Sequence, residues 1–361
     1  MFSDFYKDKK VFITGHTGFK GSWLAMWLLQ LGAKVKGYSL APYTSKDFYK
    51  VCGLDNKVNS VIADVRDYNK LQAEVNSFDP EVIFHLAAQP LVRESYSFPR
   101  ETYEINVMGT VNLLEASKSL SNLKSVVVVT SDKCYENIET EKGYKETDPM
   151  GGHDPYSSSK GCTELVVSAY RNSFYQKLNI MLASARAGNV IGGGDWCKDR
   201  IIPDTINALV SGNPIQVRNP KAVRPWQHVL EPLSGYLTLG AKGGKNWAKY
   251  ANAWNFGPES LKLIKVKEVV ELVLEYWGSG SWEDVSDPKA VHEAHLLNLD
   301  CTKAKNGLDW EPVLSTEESI QLTVDWYRIF QNAKEDMYNF SLSQLNNYIE
   351  KARIKGIIWS K

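Results

Sequence analysis

The chain has 361 residues, which is enough to bury a large core, and this length predicts two lobes rather than one. Lysine plus arginine number 42 and aspartate plus glutamate also number 42, so the formal net charge is zero. This balance argues against a general nucleic-acid binder, which is normally strongly basic.

Short apolar, β-branched runs alternate with amphipathic helical stretches through the first half of the sequence. The predicted strands are Val11–Thr14, Lys34–Tyr38, Ser60–Ala63, Glu81–Leu86, Ser125–Thr130 and Ile180–Ala185. The predicted helices are Lys20–Leu31, Asn69–Asn76, Tyr103–Lys118 and Ser157–Tyr175. Nearly continuous apolar strands are expected where both faces of a sheet are buried. The alternation predicts an α/β fold, a Rossmann-type doubly wound parallel sheet covered by helices.

The second half of the sequence is less regular and begins with a glycine-rich loop at 192–195. Helices are predicted over Ile201–Ser211, Val266–Trp277 and Thr316–Ile329. We expect residues 1–188 to form a nucleotide-binding domain to which segments near 226–258 return. Residues 189–361 are expected to form mainly a smaller substrate lobe.

A glycine loop joins the first predicted strand to the first helix. Gly15, Gly18 and Gly21 allow a tight turn, let backbone N–H groups approach a pyrophosphate, and bring the helix close to the sheet. Phe19 lies in the same loop and is assigned to the same site. The position of these glycines at the first strand–helix junction predicts a dinucleotide cofactor.

His16 and Lys20 are unusual in this loop, because such loops commonly carry small and apolar residues. In one interpretation both side chains point to solvent, as polar loop residues usually do. In the other they contact the cofactor phosphates and change how tightly the cofactor is held, and His16 is therefore kept as a candidate cofactor residue.

The residues after the next strands predict NAD as the cofactor. The second strand ends without the acidic residue that binds a ribose 2′-hydroxyl and without an arginine for the 2′-phosphate of NADP. Ser39 is placed to hydrogen-bond the ribose, and Asp64 and Val65 are placed to meet the adenine. The fourth strand runs into small residues that let the backbone lie against the cofactor, namely Leu86, Ala87 and Ala88.

A hydroxyl, a carboxyl and an amine, those of Ser131, Asp132 and Lys133, follow the fifth predicted strand. Tyr156 and Lys160 are four residues apart on a predicted helix, so they share one face. An ammonium close to a phenol stabilises the phenolate and lowers the pKa of the phenol. Tyr156 is then expected to take a proton from an alcohol while hydride leaves the same carbon.

These motifs together resemble the extended short-chain dehydrogenase/reductase superfamily, and more closely its nucleotide-sugar 4,6-dehydratases. The resemblance rests on the glycine loop, the run from His85 to Ala88, Asn106 with Gly109 and Thr110, and the Tyr156/Lys160 pair. Members that act on CDP-glucose are similar over Gly15–Trp23, Thr130–Tyr135, Arg186–Trp196 and Arg224–His228. The resemblance extends from about Lys9 to Trp326 and implies Asn106 and Thr130 as further NAD contacts.

The resemblance implies that CDP-glucose is converted to a 4-keto-6-deoxy sugar. Tyr156 would deprotonate the 4-hydroxyl as hydride passes from C4 to NAD, and hydride would later return to C6. Ser131 would hold the 4-oxygen and Asp132 would protonate the departing 6-hydroxyl. Related dehydratases usually carry glutamate where Lys133 stands. Lys133 is the expected base at C5 if its pKa is low enough, and the alternative is a charged lysine that only orients the substrate.

Substrate contacts are also implied by the resemblance. Gln89, Asn189, Arg200 and Arg224 are assigned to the nucleotide sugar. Arginine suits this task because its planar fork holds phosphate oxygens in pairs. Trp196 and Trp226 stack on the base in one interpretation and pack in the core in the other. Cytidine follows from the overall resemblance, since no single residue reads the base.

The remaining expectations concern compartment, metal and assembly. The five scattered cysteines predict free thiols in a reducing cytosol, and strand-like sequence from Lys10 leaves no room for a signal peptide. Trp23–Leu31 is too short to span a bilayer, so no membrane association is expected. His292 and His295 have no evident third ligand, so no metal is expected. We expect a homodimer or dimer of dimers, built on the helices at 103–118 and 157–175.

Two other functions stay open at this stage. A nucleotide-sugar 4-epimerase shares the cofactor loop and the Tyr156/Lys160 pair, but it needs no acid and base for water loss. A non-catalytic NAD-binding protein would have little reason to keep Ser131 and Asp132 beside that pair. The resemblance favours the dehydratase and implies deoxysugar synthesis for bacterial lipopolysaccharide O-antigen.

Overall fold

Parallel strands form the centre of the computed structural model, which describes residues 1–140, 142–259, 264–287, 296–332 and 336–361. The strands are β1 Lys10–Thr14, β2 Lys34–Ser39, β3 Asn59–Ile62, β4 Val82–His85, β5 Ser125–Val129, β6 Met181–Ala187, β7 Val190–Ile191, β8 Ile215–Val217, β9 Val223–Arg224, β10 Gln227–His228, β11 Ala253–Phe256, β12 Ile264–Lys265 and β13 Trp282–Asp284. Seven of them form one parallel sheet in the order β11-β6-β5-β4-β1-β2-β3. The predicted doubly wound α/β fold is confirmed.

Helices cover both faces of this sheet. They are α1 Phe19–Gln30, α2 Phe48–Val51, α3 Tyr68–Phe78, α4 Val92–Ser97, α5 Pro99–Tyr103, α6 Gly109–Ser117, α7 Pro155–Tyr170, α8 Ile201–Val210, α9 Leu230–Lys245, α10 Trp247–Tyr250, α11 Val266–Trp277, α12 Thr302–Leu308, α13 Thr316–Asn332 and α14 Met337–Ile354. A π-helical turn, Glu104–Met108, joins α5 to α6, and another, Arg171–Tyr175, extends α7. The helix predicted at 103–118 is therefore interrupted by a π turn.

Successive side chains of each strand point to opposite faces of the sheet, so they pack into two separate cores. On β5, Val127 and Val129 pack into the core under α1 and α9, whereas Val126 and Val128 pack into the core under α3, α6 and α7. Both faces of the strand are therefore buried, as its continuous valines indicate.

The second-half elements that the sequence prediction missed include α9, β11 and α14. In α9, glycines interrupt the helical pattern, and buried residues occur on every side of the helix. Gly235 is needed for close packing, because a Cβ there would lie 2.3 Å from the Phe256 ring of β11. β11 pairs in parallel with β6 and extends the large sheet.

The carboxyl ends of β1, β4, β5 and β6 lie next to one another at one edge of the sheet. The chain leaves β1 toward β2 but leaves β4 toward β5, so the strand order reverses between β1 and β4. Ligands of open α/β sheets bind at such a reversal. Three small two-stranded pairings, β7–β10, β8–β13 and β9–β12, lie outside the large sheet. Within the described ranges, no helix combines the length and apolar character needed to cross a membrane.

Candidate active site

The backbone of the glycine loop forms a cradle in which a side chain larger than that of glycine would take up the space. Gly15 has a φ of +76°, and a Cβ there would lie 2.7 Å from the Ala87 backbone nitrogen after β4. A Cβ at Gly21 would lie 2.0 Å from the Gly15 carbonyl oxygen. The N-cap of α1 is Gly18, and no side chain caps this helix end. The N–H groups of the first turn of α1 are therefore suited to a pyrophosphate, and the residues fit a dinucleotide cofactor.

His16 is buried rather than turned to solvent, so the solvent interpretation is wrong for this residue. Its Nε2 lies 2.7 Å from Ser60 Oγ. A Cβ at Gly37 would lie 2.2 Å from the His16 ring, so only glycine at this position of β2 leaves room for the imidazole. Burial lowers the pKa of His16 to about 4, which leaves the imidazole neutral near pH 7.

Lys20 is half-buried and lines the cleft beside the catalytic residues. Burial lowers the pKa of its ammonium to about 8, and the charges of Arg200 and Lys160 lower it further, while Asp132 and Asp195 oppose them. The interpretation that Lys20 points to open solvent is therefore also wrong. Lys20 of the glycine loop instead contributes a positively charged side chain to the wall of the cleft.

The residues assigned to the adenosine end of the cofactor lie at the end of β2 and after β3. Ser39 Oγ lies 2.8 Å from Thr17 Oγ1, so the glycine loop and the end of β2 are tied together. The Asp64 carboxylate forms an ion pair of 2.6 Å with Arg66. Val65 is buried in the core at the end of β3. Contact of these residues with a cofactor stays a prediction.

Asn106 and Gln89 have protein partners in this structure. Asn106 Oδ1 accepts a hydrogen bond of 2.8 Å from the Gln89 backbone nitrogen, and its Nδ2 donates one of 2.8 Å to Ser159 Oγ on α7. Gln89 Nε2 donates to the Leu91 carbonyl and to Thr102 Oγ1. The structure therefore does not bring the Gln89 side chain to the cleft, contrary to its assignment as a substrate contact, because these bonds hold it in the loop after β4.

A short 3₁₀ turn, Asp132–Cys134, carries the acid–base residues after β5. Ser131 is its N-cap, and its Oγ accepts a hydrogen bond from the Lys133 nitrogen and donates one of 2.9 Å to Asp132 Oδ1. The Asp132 carboxyl is buried, and its Oδ2 has no hydrogen-bond partner among the described residues. Burial raises the pKa of Asp132, although the charge of Lys133 opposes this. The carboxyl is thus biased toward its protonated form, as an acid requires.

Tyr156 and Lys160 lie on α7, which Asp154 caps by accepting a hydrogen bond of 2.9 Å from the Ser157 nitrogen. Burial raises the pKa of Tyr156 to about 12, although a hydrogen bond with Ser131 opposes this. The lowering of the Tyr156 pKa expected from Lys160 is not found in this structure, because burial outweighs the Ser131 hydrogen bond and the charge of Arg200. Burial also lowers the pKa of Lys160 to about 8, and the Lys160 Nζ donates to the Val129 carbonyl at 3.4 Å.

An open cleft runs from these groups into the second half of the chain. Its wall includes Ser131, Asp132, Lys133 and Tyr156 together with Asn189, Arg200 and Arg224, as the sequence predicted. Arg200 forms an ion pair of 2.9 Å with Asp195. Sequence reasoning missed Arg93 and Arg218, which also line the cleft. The surplus of cations along this wall suits a diphosphate.

The two tryptophans considered for base stacking have different surroundings. Trp196 packs against Tyr327 and Phe330, with ring centroids 5.2 and 5.6 Å apart, and it does not line the cleft. Trp226 is buried in the core and also lines the cleft. Trp196 therefore packs in the core and is not placed to stack on the base. Trp226 packs in the core and is also placed to stack on the base.

Within the described ranges, no three His, Cys, Asp or Glu residues are grouped so that they could hold a metal ion. His292 and His295 lie outside the described residues.

Known proteins resemble this chain over most of its length. The family model described as GDP-mannose 4,6 dehydratase matches residues 12–323. A CDP-glucose 4,6-dehydratase of Salmonella typhimurium is 47% identical over 351 residues, covering 96% of this chain and 98% of the relative.

Solved structures show the same fold. The dTDP-glucose 4,6-dehydratase of Bacillus anthracis, in complex with NAD, has a TM-score of 0.76 at 25% identity and covers 91% of this chain and 99% of its own. The UDP-glucose 4-epimerase of Thermotoga maritima, with UDP-glucose, has a TM-score of 0.78 at 22% identity, with coverages of 89% and 99%. At such identity, the likeness to the epimerase concerns the fold alone.

Proposed function

Because this chain belongs to the GDP-mannose 4,6 dehydratase family, we propose that it is an NAD-dependent lyase that converts CDP-glucose to CDP-4-keto-6-deoxyglucose. The observation that carries the proposal is the buried Asp132 carboxyl, which has a free oxygen and lies in the same cleft as Ser131 and Tyr156. A 4-epimerase needs no such acid, because it eliminates no water.

NAD is the cofactor, and when bound it would supply the hydride acceptor for oxidation at C4 and the hydride donor for reduction at C6. Gly15, Gly18 and Gly21, at the N-terminus of α1, would hold its pyrophosphate. Ser39, Asp64 and the residues after β4 would serve its adenosine half. This assignment of contacts is a proposal that rests on their positions at the carboxyl ends of β1 to β4.

The chain's own residues account for the proton transfers. Tyr156 removes the proton of the 4-hydroxyl, and Ser131 holds the same oxygen by a hydrogen bond. Once C4 is a ketone, the C5 hydrogen is acidic, and a base removes it as the C5–C6 double bond forms. Asp132 gives its proton to the departing 6-hydroxyl, which leaves as water.

Lys133 is the proposed base at C5. It follows Asp132 directly and lines the cleft, so both groups are on one turn. The opposing interpretation, a charged lysine that only orients the sugar, predicts that Lys133→Ala exchanges the C5 proton with solvent at the wild-type rate.

The nucleotide end of the substrate is assigned to the second half of the chain, residues 189–361. Asn189, Arg200 and Arg224 line the cleft there and would bind the diphosphate. The preference for cytidine is supported by the 47% identity to the Salmonella CDP-glucose enzyme.

We also propose that the protein works as a homodimer in the cytoplasm. Exposed apolar side chains on α7 and the π turns beside it, namely Met108, Leu165 and Phe174, would be covered by a second copy. None of the five cysteines forms a disulfide, which is typical of a reducing compartment.

The function is tested by incubating purified protein with NAD and CDP-, dTDP-, UDP- and GDP-glucose. A 4-keto-6-deoxy product from CDP-glucose supports the proposal, and the absence of keto product from all four sugars contradicts it. With deuterium at C4 of CDP-glucose, a dehydratase moves the label to C6. Return of the label to C4 would instead identify an epimerase.

A further inference from the structure

The catalytic turn, residues 131–134, is short and contains the groups that act at C4 and C6. Its hydroxyl and carboxyl must reach the sugar within hydrogen-bond distance, so the backbone on either side must be held in place. Thr130 precedes the turn and Tyr135 follows it. Both residues are buried, and both hydroxyls bind the same ion pair.

Glu164 holds the beginning of the turn. It is on α7, four residues after Lys160 and eight after Tyr156, so these three residues share one helix face. One carboxylate oxygen accepts a hydrogen bond from Thr130 Oγ1. The other accepts from Ser184 Oγ and from Arg186 Nη2, both at 2.7 Å. The carboxylate is therefore fully paired, although it is buried.

Arg186 holds the end of the turn. It lies on β6, two residues after Ser184, so both side chains face α7. Its Nη1 donates a hydrogen bond of 2.7 Å to the Tyr135 hydroxyl, which in turn donates one of 2.8 Å to Asn255 Oδ1 on β11. The guanidinium carbon lies 4.9 Å from the centroid of the Tyr135 ring.

The ion pair itself is buried and lies outside the lining of the cleft. The side chains of Glu164 and Arg186 are each 4% exposed, and neither residue lines the cleft. Desolvation makes a buried ion pair a weak source of stability, so a positional role is a better explanation for it than a stabilising one. Its three hydroxyl partners, Thr130, Ser184 and Tyr135, include the residues on both sides of the catalytic turn.

We propose that the Glu164–Arg186 pair is a positioning device that fixes both ends of the catalytic turn and thereby sets the reach of Asp132 to the C6 oxygen of the sugar. The proposal rests on the proposed dehydratase function. Oxidation at C4 depends on Tyr156, which α7 holds directly, and uses only Ser131 of the turn, which holds the 4-oxygen. Elimination across C5 and C6 depends on the turn, so a loosened turn slows elimination more than oxidation.

Tyr135→Phe tests this with little threat to folding, because it removes one hydroxyl from the end of the turn. We expect kcat to fall by about 10- to 100-fold with KM unchanged, since small misplacements of reacting groups have effects of this size. The 4-keto sugar that still has its 6-hydroxyl should accumulate. Backbone hydrogen exchange over 131–135 should also become faster.

Tyr175→Phe is the matched control. Tyr175 is equally buried, and its hydroxyl has hydrogen bonds to Ser117 and the Leu114 carbonyl, remote from the cleft. Tyr175→Phe should leave kcat and the backbone hydrogen exchange over 131–135 at wild-type values. Equal exchange over 131–135 in wild type and Tyr135→Phe overturns the positioning role whatever the substrate. Absence of product from the wild-type enzyme contradicts the proposed function instead.

Three variants distinguish a positioning role of the ion pair from a stabilising one. They are Glu164→Gln, Arg186→Met and the double variant. Each single change leaves one buried charge unpaired and should lower the melting temperature, whereas the double change removes both charges and should recover much of the loss. Elimination should stay slow in the double variant. Recovery of elimination in parallel with melting temperature overturns the proposal.

Discussion

At the scale of single residues, Asp132 shows how burial prepares a group for its reaction. Its raised pKa means that the folded protein disfavours the carboxylate, while one carboxyl oxygen is left without a partner. A surface aspartate would be ionised near pH 7 and could not act as an acid. The same burial that favours acid catalysis therefore destabilises the fold.

Asp132→Asn is expected to reduce the elimination rate by about 100-fold or more, the effect of losing a general acid. Product analysis should find the 4-keto sugar with its 6-hydroxyl. The variant should also melt at a higher temperature than wild type above the Asp132 pKa. At low pH, where wild-type Asp132 is protonated in both states, this difference should vanish, because the penalty falls only on the charged form. A melting temperature difference independent of pH would contradict this explanation.

Lys20 gives a second prediction at this scale. It lines the cleft, and no hydrogen bond or ion pair is found for it among the described residues. A phosphate oxygen would supply the missing partner. Lys20→Met should weaken binding of CDP or of NAD by about tenfold or more, because hydrogen bonds to charged groups have this effect.

Titration calorimetry with CDP and with NAD separates the two phosphate sources for Lys20. Lys198→Met is the control, since Lys198 is exposed and does not line the cleft. Unchanged affinity for both ligands in Lys20→Met would exclude a phosphate contact.

At the scale of elements, α9 shows how tight packing replaces helix propensity. Its glycines are unfavourable for a helix, yet they let α9 approach the sheet closely. Gly235→Ala should overlap the buried Phe256 ring. Overpacking costs about 1–3 kcal/mol, and the helix propensity of alanine offsets about 1 kcal/mol of this.

Urea unfolding should therefore give a free energy of unfolding up to about 2 kcal/mol lower for Gly235→Ala than for wild type. Gly307→Ala on α12 is the comparison, since its Cβ would be 3.0 Å from the nearest atom rather than 2.3 Å. It should have the smaller effect. An equal effect of both changes would show that contact with Phe256 does not limit the packing of α9.

At the scale of the whole molecule, the exposed apolar face on α7 bears on assembly. The Leu165 side chain is 62% exposed on the helix that carries Tyr156 and Lys160. Pairing with a second copy would bury it and would hold α7 in place behind the catalytic residues. Dimerisation and catalysis would then depend on the same helix.

Leu165→Glu is expected to convert a dimer to a monomer, because two carboxylates would be brought into an apolar interface. Sedimentation equilibrium measures this as a halving of the mass. Ile354→Glu is the control, since Ile354 is 79% exposed on α14, a different helix. A monomeric wild-type protein, or an unchanged dimer in Leu165→Glu, would contradict the predicted interface.

The sequence by itself determined the features that depend on neighbouring residues along one element. Continuous valines predict a strand buried on both faces, and a spacing of four places Tyr156 and Lys160 on one face of α7. Glu164 continues that spacing and was missed, because its partner Arg186 belongs to another element.

Only the tertiary structure decided the features that depend on burial and on contacts between distant segments. Burial raises the Tyr156 pKa against the expectation from Lys160, and long-range contacts bury His16 and hold Gln89 away from the cleft. Such effects depend on which elements pack together, and the spacing of residues along the chain does not contain that information.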